Sequence, residues 1–467
     1  MRGVAVRQFI FQTGIAALYA IILCTKPAAA APMNLAEALR YALENAPSMQ
    51  QARSTIEVRE AQVDRARARY LPSLDLTTTQ GLMRSGVQQF TVVGAGTGGG
   101  GGNTGGGTLQ PLARSSSPWF SQLGLSLTET VYDNGQSLMQ HDISEANLEI
   151  ARLNFLETRD TTLLEVSRAY YALSQADILL NTNQQQAQLT AKQLSKLESL
   201  YKQGLKTKRE YFRLKSQAQR AAIEVGNAQV AKANATIELR RVMGVPPGTS
   251  DVTFVTLTAE DLQREEPGLP IKVPTVEASY LAKIAALEAE VATVNIDLAR
   301  RRNLPVVTVS STLNYQVPSY LAFAPAEAKA NQWNWNVLLG VNYNIWDAGS
   351  RRRDIDLSAS QLTIQNRDNR DKLYVRATGI AKLMETLRNL KNNLQLNREL
   401  MRLEQVNFAT LEEDYRQGKV AYLDLVTGLS DLLSARVSYY TNYINLLTAI
   451  AQYRYYEATI YETAATA

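Results

Sequence analysis

The residue types that carry most enzyme chemistry are scarce in this 467-residue chain. His141 is the single histidine, and Cys24, the single cysteine, lies in a predicted export signal. A histidine-based triad or a histidine-rich zinc site needs more than one isolated histidine can supply. We therefore expect a protein that is not an enzyme and has no metal site, with His141 on the surface of a helix.

A second chemical motif is excluded by its context. Gly94, Gly96 and Gly99 show the G-x-G-x-x-G spacing of dinucleotide-binding loops. That motif binds a cofactor only where a helix opens directly after it, and no helix is predicted there. The glycine run Gly94–Gly107 is therefore predicted to be a loop, and no cofactor is expected.

The elements of the chain are clearest in the stretch from Trp333 to Gly349. Apolar residues fill nearly every second position up to Ile345, with asparagine and glycine between them, which indicates a strand with one apolar and one polar face. Thirteen residues would reach about 43 Å, longer than a tilted strand needs to cross a bilayer. A soluble sandwich strand can alternate in the same way. We interpret four tryptophans as membrane-interface aromatics: Trp119, Trp333, Trp335 and Trp346.

The same pattern occurs a second time, 214 residues earlier. At this offset Trp333 falls on Trp119, and Gly349 falls on Gly135. Gly418 likewise falls on Gly204. The chain is therefore two copies of one unit.

The first thirty residues have the features of an export signal. Arg2 and Arg7 precede an apolar run, and a Pro-Ala-Ala-Ala-Ala segment follows it. Removing Arg2, Arg7 and Lys26 lowers the net charge from +5 to +2, so the basic pI is no indication of nucleic-acid binding. No later run has about 20 apolar residues, so an exported chain of this kind is either soluble or a β-barrel.

Proline positions divide the chain into segments. All prolines lie before Trp119, between Pro246 and Pro274, or between Pro305 and Pro325, which leaves two long tracts free to be helical. The predicted boundaries are a signal peptide 1–30; a first repeat 31–245, with strands 73–90 and 119–132 and helices 136–203 and 205–242; a linker 246–274; and a second repeat 275–467, with strands 305–317 and 333–346 and helices 350–417 and 419–461. A helix also opens each repeat, and the one in the first repeat is interrupted near Pro47.

Neither the strands nor the helices are self-sufficient. Four strands cannot close a membrane barrel, which needs at least eight, so copies of the chain must pool their strands. Each long helix would measure about 100 Å and needs a partner helix. A leucine seam supplies a coiled-coil face for it: Leu383, Leu387, Leu390 and Leu394.

Taken in order, these motifs resemble the TolC-like outer-membrane efflux protein family. The paired elements are RYLPSL with RNLPVV, VYDNGQ with IWDAGS, and YKQG with YRQG, and RVMGVPPG closes the first copy. The resemblance implies a mainly helical chain with membrane strands, built from two helix-strand-strand-helix repeats. It implies a homotrimer whose twelve strands form an outer-membrane barrel, continued by an α-helical coiled-coil tunnel in the periplasm. It also implies a periplasmic adaptor and an inner-membrane transporter as partners, outer-membrane lipids around the barrel, and no nucleic acid.

The resemblance also implies roles for the periplasmic tips. In the family a tyrosine before the tip glycine and acids after it form a gate, which assigns Tyr415 and Asp424 here, with Glu210 at the matching place in the first copy. Thr427 and Val420 replace a second acid and an arginine, so this chain departs from a double acidic ring. Without the resemblance, these carboxylates are ordinary helix-surface residues. Residues expected at the tip turns and in adaptor docking are Gly204, Gly418, Lys206, Lys208 and Arg209, and a solvated helix end explains the three cations equally well.

Arginines cluster at the predicted junctions between helix and strand. Six of them form a basic collar in which some are expected to meet lipid phosphates: Arg300, Arg301, Arg302, Arg351, Arg352 and Arg353. The alternative is that they are solvated helix ends, because helix C-termini favour cations.

Two functions of different classes follow. The first is an export duct in the outer membrane, for drugs or polypeptides. The second is a periplasmic structural coiled-coil protein without a pore, in which the strands form a soluble sheet.

Overall fold

The computed structural model describes residues 32–82, 90–93, 108–111, 119–248, 252–258, 262, 268, 272–318 and 333–462. The predicted signal peptide and the glycine run Gly94–Gly107 lie outside the described residues. The elements in chain order are α1 (Leu35–Asn45), α2 (Pro47–Ala68), β1 (Ser73–Leu82), β2 (Phe90–Val93), β3 (Thr108–Pro111), β4 (Trp119–Tyr132), α3 (Gln136–Lys202), α4 (Lys208–Met243), a 3₁₀ turn (Val276–Ala278), α5 (Tyr280–Arg301), β5 (Val306–Pro318), β6 (Trp333–Asn342), α6 (Ser350–Arg416) and α7 (Tyr422–Tyr456).

Several element boundaries have a local cause. Asn34 and Glu37 form a reciprocal capping box that starts α1. Ala46 is extended and separates α1 from α2, because the ring of Pro47 disfavours a helical conformation at the residue before it. β6 ends at Asn342 rather than at the predicted Trp346, because its partner strand β5 begins opposite Asn342.

The predicted strand 73–90 is described as β1 up to Leu82, and residues 83–89 lie outside the described residues. A separate hairpin, β2–β3, has its two strands on either side of the glycine run. α7 ends at Tyr456 rather than at the predicted Tyr461, and Ala458, just beyond this end, has a φ of +59°. Part of the predicted linker is also anchored, because Phe254 forms a parallel bridge with Met33.

The chain forms two compact units that cut across the two repeats. Among the described residues, one unit contains those within 32–58, 149–288 and 366–462, and the other contains those within 59–148 and 289–365. Each repeat contributes to both units, because its long helix passes from one into the other.

The second unit is built on a four-stranded antiparallel sheet in the order β1–β4–β5–β6. Leu76, Leu125 and Leu313 are successive partners across it, and all three side chains are exposed. The opposite face is polar: Thr312 Oγ1 lies 2.7 Å from Asn336 Oδ1. Strands of this kind have one face suited to an apolar medium and one suited to water.

The first unit is a helical core in two clusters. One cluster joins α1 and α2 to the middle of α3 and the end of α4, with Leu163, Leu239 and Met243 fully buried. The other packs the leucine seam of α6 against tyrosines of α7, and Leu387 and Tyr443 are among its buried members. The seam therefore packs within the chain.

The left-handed backbone positions repeat with the sequence. Asn134, Gly135, Gly204 and Gly244 have positive φ, and so do the residues 214 positions later: Ala348, Gly349, Gly418 and Ala458. The bonds that end the helices repeat too, because Val245 N–H donates to Arg240 O and Thr459 N–H donates to Arg454 O. Two alanines thus occupy positions where the first copy has Asn or Gly, and a Cβ is disfavoured there.

Replacing Ala348 or Ala458 with glycine is expected to raise the free energy of unfolding by about 0.5–1 kcal/mol each, because glycine relieves the left-handed strain. The measurement is the midpoint of urea unfolding in detergent. Ala348→Asn, which restores the residue type of the first copy, serves as the matched variant and should stabilise in the same direction. A lower midpoint in both Ala348 variants would contradict the strain argument.

Candidate functional site

The first tip lies between α3 and α4. Gly204, with a φ of +75°, ends the last turn of α3, and Thr207 begins α4 in a capping box with Glu210. Thr207 N–H donates to Glu210 Oε2 at 3.0 Å, and Lys206 Nζ lies 3.5 Å from Glu210 Oε1. The backbone hydrogen bond from Thr207 is the main cause of a lowered Glu210 pKa. Glu210 is therefore an ionised carboxylate fixed against the start of its helix.

The second tip repeats this arrangement in a weaker form. Asp424 occupies the third helical position of α7, as Glu210 does in α4, and its Oδ2 accepts from Ala421 N–H at 3.3 Å. Ala421 has no hydroxyl to return the bond, so only half of the capping box forms. Asp424 is exposed. Both predicted gate acids thus have a local role in starting a helix.

Aromatic and basic residues surround the first tip. Tyr201 stacks on Tyr211 with ring centroids 5.1 Å apart and planes 7° from parallel. Lys208 lies over the Phe212 ring at 5.7 Å, and Arg209 is exposed. Tyr415 is half-buried, and its carbonyl accepts from Gly418 N–H at 3.0 Å. The sequence analysis did not predict the stack of Tyr201 on Tyr211, although the two tyrosines are only ten positions apart, on either side of the turn.

A cavity of about 230 Å³ lies beside the first tip. Its apolar lining includes Leu197, Leu214 and Val426, and its polar lining includes Lys206 and Glu210. It therefore brings together the start of α7 and the capping pair of α4. A cavity with an apolar floor and a charged rim suits a partner side chain better than a small ion.

The turns from strand to helix are built alike in both copies. Asp133 Oδ1 accepts from Gly135 N–H at 3.0 Å, and Asp347 Oδ1 accepts from Gly349 N–H at 3.0 Å. Burial raises the pKa of Asp133, but its hydrogen bonds, first those from Ser137, outweigh burial and leave the pKa lowered. The Asp347 pKa is lowered chiefly by the backbone hydrogen bond from Arg351. The paired aspartates therefore fix the direction in which each long helix leaves the sheet.

The structure divides the basic collar into two groups. Arg301 Nη1 donates to Asn134 O at 3.1 Å, Arg351 Nη2 donates to Asn303 O at 3.1 Å, and Arg300 pairs with Asp297 at 3.0 Å. The other three, Arg302, Arg352 and Arg353, are exposed, with no ion-pair partner among the described residues. Arg301 and Arg351 therefore connect neighbouring turns between strands and helices, the first at Asn134 and the second at Asn303. The lipid role of the three exposed arginines stays a prediction.

The predicted interface aromatics lie at opposite ends of the sheet region. Trp333 packs against Tyr315 with ring centroids 4.7 Å apart, and Trp335 is 72% exposed. Trp346 follows β6, near the start of α6, and is also exposed. The side chain of Trp119 lies outside the described ones.

His141 differs from the expected simple surface residue. Its side chain is only 15% exposed, and its Nε2 accepts from Arg67 Nε at 3.2 Å and lies 3.4 Å from Glu145 Oε1. Potential ligand atoms of His141, Asp142 and Glu145 lie within 4.8 Å of one another, so they could hold a cation. Arg67 already provides the positive charge between His141 and Glu145. These contacts form an ion-pair cluster that joins α2 to α3.

A buried charge cluster in the first unit was not found from the sequence. Arg376 of α6 is 8% exposed, and its Nη1 donates to Glu157 Oε1 at 3.0 Å. Tyr455 OH donates to the same oxygen at 2.5 Å, and the guanidinium lies over the Tyr455 ring at 4.6 Å. Nearby, Asp160 is 1% exposed, and burial raises its pKa although Arg159 opposes this. This cluster connects α3, α6 and α7.

Among the described residues, no helix combines the length and hydropathy required to cross a membrane.

Residues 38–245 match the outer membrane efflux protein family, which confirms the resemblance noted from the sequence. The chain is similar to protein CyaE of Bordetella pertussis, at 23% identity over 320 residues, and the alignment spans 62% of this chain but only 61% of that relative.

Solved structures show the same fold at low identity. The CmeC outer membrane channel of Campylobacter jejuni has a TM-score of 0.73 at 12% identity, with 91% of this chain and 86% of that chain covered. The outer membrane protein VceC of Vibrio cholerae has a TM-score of 0.68 at 16% identity, with 91% and 96% covered.

Proposed function

We propose, with the match to the outer membrane efflux protein family as the premise, that this chain forms an outer-membrane duct for export. The observation that carries the proposal is the two-faced sheet, whose apolar face exposes large side chains. Leu76, Trp335, Leu339 and Val341 are each at least 66% exposed, which is unfavourable in water and favourable in a bilayer. The polar face then lines a water-filled passage.

Assembly as a homotrimer completes the sheet. β1 and β6 are its two edge strands, each paired on one side among the described residues, and unpaired edges cannot face lipid. Pairing β6 of one copy with β1 of the next would close a ring of twelve strands from three copies. The helices offer matching surfaces, because Ile223, Val230 and Ile237 form an exposed stripe at seven-residue spacing on α4.

Two partners follow from the proposed duct: a periplasmic adaptor and an inner-membrane transporter that supplies energy. The cavity beside the first tip, with Lys206, Arg213 and Glu210 around Leu214, is the surface we assign to adaptor contact. Its mixture of charge and apolar floor supports a protein partner. Cargo remains of two classes, small molecules or polypeptides, and the long helices would surround either.

The competing function is a periplasmic structural coiled-coil protein without a pore. Extraction and conductance distinguish the two functions. A duct requires detergent for extraction, migrates as a trimer and gives discrete conductance steps in planar bilayers. Release of the full chain by osmotic shock in soluble form, with no conductance, would favour the structural protein.

A gate at the tips is tested by Asp424→Asn, which keeps a side-chain acceptor for the start of α7 while removing three charges from a trimer. We expect block by a trivalent cation added from the periplasmic side to weaken several-fold, because a ring of carboxylates stabilises cations in a constriction. Single-channel recording gives the blocking concentration. Glu238→Gln is the control, since Glu238 is exposed on α4 and distant in sequence from either tip. Equal block in wild type and Asp424→Asn would exclude Asp424 from the gate.

A further inference from the structure

The four strands of the large sheet are almost free of charge. Their 47 residues contain two side chains that are charged at neutral pH, Asp75 in β1 and Glu129 in β4, and neither lysine nor arginine. A wall of neutral groups has little preference between small anions and cations. Any carboxylate that faces the passage therefore has a large influence on which ions enter.

The register places the two acids on opposite faces. Asp75 lies opposite Ser126, which pairs with Thr312, and that residue pairs with Asn336, so this row across the sheet is wholly polar. Glu129 lies opposite Val309, which pairs with Leu339, so its row is apolar beyond the acid. Directly opposed residues point to the same face. Asp75 is therefore on the polar face and Glu129 on the apolar face.

Neutral groups on the polar face largely bind one another. Gln122 Nε2 donates to Asn314 Oδ1 at 3.4 Å, and Thr77 Oγ1 donates to Gly124 O at 3.2 Å. The face is tightly filled there, since a Cβ on Gly124 would lie 2.7 Å from Asn314 Oδ1. Asp75, two residues from the start of β1, is exposed instead. Among the strand residues on this face, Asp75 is therefore the one that carries a full charge, and its carboxylate is exposed to water.

We propose that Asp75 sets the charge preference of the strand-lined passage. The inference rests on the proposed function, in which three copies of Asp75 form one ring of negative charge near the helix end of the strands. Small cations and cationic cargo are favoured at this ring, and anions are disfavoured, independently of the tips. Glu129 lies at a similar level but outside the passage and has no such effect.

The test is the reversal potential of single channels under a KCl gradient. All variants are made in the Asp424→Asn background, so that the tip does not dominate selectivity. We expect Asp75→Asn to lower the K⁺ over Cl⁻ permeability ratio by about threefold near 0.1 M salt, and by much less at 1 M, because the Debye length falls from about 10 Å to about 3 Å. Asp75→Lys should favour Cl⁻. Glu129→Gln is the matched control and should leave the ratio unchanged.

An unchanged ratio in Asp75→Asn, or an equal change in Glu129→Gln, would overturn the inference. A second measurement reports the face directly: with Cys24 replaced by serine, a negatively charged thiol reagent should alter the current of Asp75→Cys and leave that of Leu74→Cys unaltered. The reverse result would place Asp75 away from water. Absence of conductance in every variant and also in the Asp424→Asn background itself would instead contradict the proposed duct.

Discussion

Gly244→Ala is expected to lower the free energy of unfolding by about 3 kcal/mol or more. Gly244 ends α4 with a φ of +79°, and a Cβ there would lie 2.3 Å from the backbone oxygen of Asn45 and 3.0 Å from Cδ of Pro47. These atoms belong to the break between α1 and α2, whose backbone is held by the buried Ala46 and Met49. Backbone atoms cannot rotate away as a side chain can, so the helices must separate.

Gly204→Ala is the matched control, because Gly204 has nearly the same φ, +75°, and nothing within 4 Å of an added Cβ. It should lose only the left-handed strain, about 1–2 kcal/mol. Urea unfolding in detergent, followed by far-UV circular dichroism, measures both. Equal losses would show that the close approach to Asn45 has no effect.

Glu157→Ala is expected to destabilise the chain by about 3–5 kcal/mol, because it leaves the buried guanidinium of Arg376 without the carboxylate to which it is hydrogen-bonded. The Glu157 oxygen accepts from both Arg376 and Tyr455, so its loss also leaves a phenol without its acceptor. Burial is the main cause of the raised Tyr455 pKa, and the bond to Glu157 adds to it. The three helices that meet at this cluster should loosen together.

The double variant Glu157→Ala, Arg376→Met distinguishes an uncompensated charge from lost packing. Because it removes both charges, it should recover a large part of the loss. Glu399→Ala removes one member of an exposed pair with Arg402 and should leave the unfolding midpoint nearly unchanged. If the loss of stability in the double variant equalled the sum of the losses in Glu157→Ala and Arg376→Met alone, the charge argument would fail.

The sequence indicated most elements because their signals are local. Pro47 marks the break between α1 and α2, and the alternation after Trp333 marks β6. The buried charge cluster gave no such signal. Arg376 lies 219 residues from Glu157 in sequence, and a charged residue on a polar helix is ordinarily exposed. His141 was misjudged for the same reason, since its burial depends on Arg67 of α2 and on Tyr70, which follows the end of that helix.

The gate residues illustrate a different limit. Spacing placed Glu210 and Asp424 at equivalent positions, and the structure gives both a role in capping a helix. Such a role is visible in retrospect, because each acid lies three residues after the residue that begins its helix. A local cause of this kind neither requires nor excludes a gate, which depends on other copies of the chain.

The left-handed positions that recur at a spacing of 214 residues indicate descent by duplication and fusion. A half-length ancestor with two strands would close the proposed twelve-stranded ring as a hexamer. Fusion then frees each half to diverge. Counting from Pro72 and Pro305, the counterpart of Asp75 is Thr308, so the acid is present in one half only. A sixfold ancestor would carry either six such charges or none, whereas the fused chain can carry three.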